Sequence, residues 1–322
     1  MNRIPFLRSF VALAVVALAL PLFAKNDALS LVPANAVTVG MVKLADIRTS
    51  PLSGVLFEHT DKMSTDGEAQ KFLSDAGLSP TKDVDVLVVA TTPRTALGSE
   101  ADVLVVAEGR FHAERLTNAL VARGAIKKNG YVLLDKEGDS ENAAVAFPTA
   151  SLAIAGTERS VIAALAARAS GGTGFRTRGL LGAELPRIDA NATAWALVDV
   201  TRAARLGNGA GHVGNGKGQA GEALRAAMKS VSTMAIWAKD KGDSLELGAF
   251  GLSNDPETLE LLEDTLRGGL SALRLAVKEK SPEMVSVLRR FDVSRKSDSI
   301  LIEGSIPAAQ IRHMLAQKAA AK

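Results

Sequence analysis

Asp135, Glu137, Asp139 and Glu141 put a carboxylate at every second position of one short stretch. Carboxylate oxygens so spaced can gather around calcium, a hard cation that takes oxygen ligands, and extracellular calcium sites work at weak affinity. The EF-hand pattern is not met. Gly138 stands at the fourth position of the loop, and Ala146 stands at the twelfth, where a bidentate Glu would close the shell. The four residues are calcium candidates, and the plainer reading of the same stretch is a solvated turn between two strands.

Gly207 to Gly218 is the next chemical temptation. Gly209, Gly211 and Gly214 have the spacing of a dinucleotide fingerprint, and Gly211 to Lys217 nearly spell a phosphate loop. Such loops need bare backbone amides at a helix N-terminus, with a hydroxyl after the Lys to hold magnesium. Here Gly218 follows Lys217, and Thr201 to Leu206 separate the glycines from the preceding β-run. This reads as a surface loop. Ser79-Pro80-Thr81-Lys82 has the Ser-x-x-Lys spacing of penicillin-binding acyltransferases, but the Ser-Asp-Asn and Lys-Thr-Gly partners are missing. Ser before Pro is also how a helix begins. His59, His112, His212 and His313 stand far apart, and without Cys a thiol nucleophile is excluded. The sequence therefore names no catalytic residue and no cofactor site.

The elements that must position any site are clearer. Val37–Leu44, Asp83–Thr91, Ala101–Phe111, Tyr131–Asp135, Ala143–Phe147 and Ser151–Ala155 are β-rich runs, with helical patterns at Glu114–Arg123 and Glu158–Arg168. A second series follows at Thr193–Val200, Val231–Lys239, Ser244–Leu252, Arg290–Arg295 and Ser299–Ser305. Asn254-Asp255-Pro256 caps a long helix whose Leu259, Leu262, Leu266, Leu270, Leu273 and Val277 share one stripe, with Leu261 and Leu275 on a second edge. Trp195 and Trp237 each fall in a β-run and read as packing residues.

The two series echo each other. Val32–Val42 returns as Ile188–Val198, Asp102–Gly109 as Ser244–Gly251, and Ser151–Gly156 as Ser299–Gly304, at offsets of 156, 142 and 148. A period this long is that of a duplicated domain, since solenoid units span roughly 20–50 residues. The expected fold is α+β: two tandem homologous units, each a mainly antiparallel sheet with helices on one face. The expected divisions are a signal peptide at 1–24, a first unit at 25–170, a linker at 171–186, a second unit at 187–316 and a disordered tail at 317–322.

Arg3 and Arg8 precede an uncharged run from Phe10 to Ala24, 15 residues long and short of the roughly 20 that a spanning helix needs. Cleavage near Ala24 is expected, with a periplasmic or secreted destination; a retained anchor is the alternative. The remaining chain carries 36 basic and 35 acidic residues, so it lacks the electrostatic footprint of a nucleic-acid binder.

Leu31-Val32-Pro33-Ala34-Asn35-Ala36, after the signal segment and before a strand, and the helix start Ser50-Pro51-Leu52 carry a resemblance. The chain resembles an uncharacterised family of exported bacterial proteins with a duplicated α+β domain, a domain of unknown function. The resemblance implies this fold and an envelope location, and it transfers no site residues. The function expected is a non-enzymatic binding or structural protein of the bacterial cell envelope, acting on an envelope protein or an apolar ligand. The alternative is a periplasmic hydrolase with a site between the two units.

Overall fold

Valine-rich runs with turn signals between them form strands, and all of them join one sheet. The computed structural model describes residues 27–54, 57, 74–95, 100–134, 142–206, 230–279 and 281–320. The first half supplies β1 (Thr38–Lys43), β2 (Val84–Pro93), β3 (Ala101–Gly109), β4 (Ile126–Lys127), β5 (Val132–Leu134), β6 (Ala143–Thr149) and β7 (Leu152–Thr157). The second supplies β8 (Ala194–Asp199), β9 (Thr233–Asp240), β10 (Ser244–Leu252), β11 (Asp292–Arg295) and β12 (Ser299–Pro307). The twelve strands lie in the order β11-β12-β10-β9-β8-β1-β2-β3-β7-β6-β5-β4, and the neighbouring pairs are antiparallel. The α+β class expected from the sequence is the class observed.

The halves meet where β1 pairs β8, from Thr38 opposite Val198 to Val42 opposite Ala194. Outward from this seam the order is β1, β2, β3, β7, β6 on one side and β8, β9, β10, β12, β11 on the other. The three sequence echoes fall on β1 and β8, β3 and β10, β7 and β12, so each joins strands equally far from the seam. The sequence leaves open whether the two series share a sheet, and this pairing joins them in one. A first strand apolar on both faces leaves an edge that another such strand completes.

Helices cover both faces, not one. α1 (Leu44–Arg48) and α2 (Pro80–Asp83) are short, and α3 (Ala113–Val121) ends before Gly124, whose φ of +94° suits glycine. Leu116 of α3 packs with Leu87, Ala107, Phe147 and Ala153 on one face. Val161 and Ala164 of α4 (Glu158–Ala169) join Leu104, Val106 and Ile154 on the other. Alternating side chains point to opposite faces, and runs such as Val86–Ala90 are apolar on both, so both need cover.

Residues 171–186 are not a free linker. A 3₁₀ turn at Ala28–Leu31, the single-turn α5 (Phe175–Arg178) and a second 3₁₀ turn at Gly182–Arg187 lie together over the sheet. The Thr173 hydroxyl donates to the carbonyls of Ser30 (3.1 Å) and Val32, and Phe175 is fully buried. The glycines here serve close approach. A Cβ at Gly182 would stand 1.9 Å from the Phe175 carbonyl oxygen, so a composition that reads as a linker is a packing requirement.

The second half continues with α6 (Val200–Ala203), α7 (Pro256–Lys278), α8 (Pro282–Leu288) and α9 (Ala308–Ala320). As the sequence suggests, α7 starts at a cap: Asp255 accepts the Glu257 N–H at 3.1 Å and Pro256 takes the first helical position. Leu259 and Leu262 bury against Val293 and Ile300, while Leu273 is exposed, so only the first half of the apolar stripe covers the sheet. α9 runs on through 317–320, where a tail was expected, because Ala and Lys favour helix.

One buried cluster takes Leu104 and Ile154 from the first half, Phe175 from the crossing segment, and Ala235 and Phe250 from the second. Chemical unfolding is therefore expected to show one transition for both halves. Phe175→Ala should cost about 3–5 kcal/mol, the range for a large buried aromatic, against about 0.5 kcal/mol or less for a surface linker position. Two separate transitions, or a Phe175→Ala variant as stable as its parent, would contradict the shared core.

Candidate functional site

The two faces of the central sheet differ in chemistry, because strand alternation sends neighbouring residues to opposite sides. On one face a row runs Val89, Gly40, Ala196, Ile236, Ala249, Ile302 across six strands. The adjacent row runs Leu87, Val42, Ala194, Ala238, Leu247. Gly40, Ala196, Ala249, Ala194 and Ala238 keep the floor low around Ile236, with Val89, Leu87 and Ile302 at the ends, and make a trough of about 590 Å³. Phe291 closes one end, and its ring lies over Gly304, where a Cβ would come within 2.4 Å. Among the described residues no charged side chain lines this trough, and Ile236 is 57% exposed, Val89 39%.

The opposite face carries a larger and more polar cleft of about 1120 Å³. Its floor is the row Met41, Trp195, Trp237, set by the registers of β1, β8 and β9. The Trp237 indole lies across Gly248, where a Cβ would stand 2.0 Å from the ring, and packs on Phe250 at 6.1 Å between centroids. Trp237 therefore belongs to the core, as its sequence context suggests, while Trp195 is half-buried beside it. Leu185, Arg187 and Ile188 of the crossing segment form a wall, and Glu246, Glu303, Ser305 and Arg290 stand opposite.

Ion pairs fix that wall. Arg187 donates to both Asp298 oxygens, at 2.6 and 3.3 Å, and to Glu184 at 2.6 Å. The Asp298 carboxyl titrates below the ordinary carboxylate range because the Arg187 guanidinium hydrogen-bonds it. Asp189 accepts the Lys239 ammonium at 2.6 Å and the Asn191 N–H at 2.7 Å. The Lys239 hydrogen bond, then the backbone one, lowers the Asp189 pKa, while the same pair raises that of Lys239.

The sequence candidates fare differently. Asp135, Glu137, Asp139 and Glu141 lie outside the described residues, as do the Gly207–Gly218 loop, His59, His212 and the 1–24 segment. Ser79 precedes the turn of α2 with Pro80 at its first position, so a helix start is the correct reading there. Its hydroxyl meets the Thr81 hydroxyl at 3.3 Å and does not cap the backbone. His112 is exposed, and His313 lies 3.6 Å from Glu283. Among the described residues no group of metal-ligating side chains is brought together, and no helix is long and apolar enough to cross a membrane. Sequence reasoning missed both the trough and the cleft, whose strand residues reach from Gly40 to Ile302 in one and from Met41 to Ser305 in the other.

No family model matches the chain, and no curated protein matches it. Among solved structures it is similar to TP0453. Crystal form I is 11% identical with a TM-score of 0.48, over 91% of this chain and 99% of that one. Form III gives 9% and 0.47 over 91% and 99%, and form IV gives 11% and 0.46 over 91% and 97%. Likeness of this size assigns neither family nor activity.

The Asp189–Lys239 pair sets a pH dependence. A lowered Asp pKa contributes stability that is present above the ordinary value of about 3.9 and lost as pH falls through the folded one. The raised Lys239 pKa contributes below its ordinary value of about 10.4 and is lost only as pH climbs through the folded one. Asp189→Asn should therefore lower stability by a constant amount near neutrality, with the difference shrinking below about pH 4. Unfolding curves at several pH values measure this, and a gap that widens in acid would contradict the pairing.

Proposed function

We propose that the chain is a non-enzymatic binding protein of the bacterial cell envelope, exported by cleavage near Ala24 and formed by duplication of an α+β unit. Its ligand is an apolar molecule or the apolar segment of an envelope partner, held in the trough. The observation that carries this reading is the trough itself: two rows of uncharged side chains over six strands, with Ile236 exposed at the centre. Contiguous apolar surface of this kind is covered in a working protein, since leaving it in water costs about 25 cal/mol per Å². The export signal, and the strand order mirrored about the seam, support location and duplication.

Native mass spectrometry of protein taken gently from its host envelope tests the reading. A start at Lys25 with added mass, from a ligand or a partner, is the expected result. In vitro, N-phenyl-1-naphthylamine should bind saturably with a fluorescence rise, and Ile236→Asp should weaken it at least tenfold, since a buried carboxylate without a partner is costly. Ile236 is exposed, so the variant should fold. A bare chain that ignores the probe and turns over ester, peptide or glycoside substrates would overturn the proposal in favour of a hydrolase.

A further inference from the structure

The chain contains two tryptophans; strand alternation puts both in the row that floors the cleft, while their strands also border the trough. We propose that this cleft binds a neutral oligosaccharide, a function separate from the apolar site. Three features select that ligand class. First, Trp195, Trp237 and Met41 make an aromatic and apolar floor, and the electron-rich face of an indole suits the polarised C–H groups of a sugar ring.

Second, the charges around the floor are largely neutralised in pairs. Arg187 is held by Asp298 and Glu184, Asp189 by Lys239, and Arg176 by Asp27 at 3.0 Å. The rim therefore offers little net field to an ion, yet guanidinium and carboxylate groups keep spare donors and acceptors for hydroxyls. Arg290 and Glu303 are exposed at the open side and face the same space. An apolar ligand would have to desolvate this rim without replacing its hydrogen bonds. An extended peptide would seek free main-chain groups, but β8 and β9 have strand neighbours on both sides.

Third, the cleft of about 1120 Å³ exceeds the usual small-ligand range of roughly 300–1,000 Å³. It has room for several sugar units rather than one.

Both tryptophans lie in the cleft floor and their strands also border the trough, so intrinsic fluorescence reports on the cleft once Ile236→Asp has separated the two. The test titrates the mature chain with chitotetraose, maltotetraose and cellotetraose, and in parallel with a zwitterionic tetrapeptide and with citrate. A saturable fluorescence change with at least one of the sugars is expected. The double variant Arg290→Ala/Glu303→Ala, which changes two exposed side chains, should weaken it roughly tenfold, the loss of two hydrogen bonds from charged groups. Trp195→Phe keeps a ring in the packing and should weaken it as well. Ile236→Asp should leave it unchanged, which separates this site from the trough. Silence to all three sugars, or a response to the peptide or citrate alone, overturns the proposal. So does a sugar response that the Arg290, Glu303 and Trp195 variants leave intact.

Discussion

The pairing of β1 with β8 is the contact on which the rest of this structure depends. Each strand is short and apolar, and each would otherwise be the exposed edge of its own sheet, a template for unwanted association. Joining them places both in the interior and leaves only small edges at the far ends, two residues in β4 and four in β11. Lys127 on one edge, and Asp292 and Arg295 on the other, are charged side chains of the kind that discourage further pairing. The seam is locked beyond its ladder. Asp199 accepts the Arg202 N–H at 2.8 Å, and the Arg202 guanidinium reaches the carbonyls of Asn35 and Ala36 in the first half, each at 3.2 Å.

The crossing segment makes the seam into a single core. Once β1 and β8 are adjacent, the chain between the halves must return from α4 at the side of the first half to the centre of the sheet. It does so over the face that carries Val39, Leu197 and Ala235, with Phe175, Leu181 and Ile188 set against it. Glycine is what permits this approach. Gly179 and Gly182 sit against the Phe175 backbone at distances that a Cβ would not tolerate. The same residues, read in a one-dimensional sequence, have the composition of a flexible connector.

That contrast marks how far the sequence could be read. Local rules held where local physics decides: the β-branched runs of β2 and β3 and the Asp255-Pro256 cap were legible. The repeated stretches were legible too, and they lie at matched distances from the seam. What could not be read was register across about 150 residues. The rows that form trough and cleft alternate residue by residue along each strand, and they become surfaces only when five or six strands are aligned. Helix cover on both faces was hidden for the same reason, since periodicity states that a face is apolar and not which element meets it.

Alignment also ties the two surfaces to one another. Gly40, Ala196 and Ile236 lie in one row, and Met41, Trp195 and Trp237 lie in the next, on the opposite face. A slip of one residue at the seam would carry Trp195 to the trough side and Ala196 to the cleft, exchanging a smooth apolar floor for an indole. The polar rim would move with it, since Lys43 follows Met41 by two positions and shares its face. The register of β1 against β8 is held by burial of Val39 and Leu197 in the common core, both essentially inaccessible to water. The residues that keep the two surfaces distinct are therefore core residues that line neither, and selection on binding would be felt in the packing between the halves.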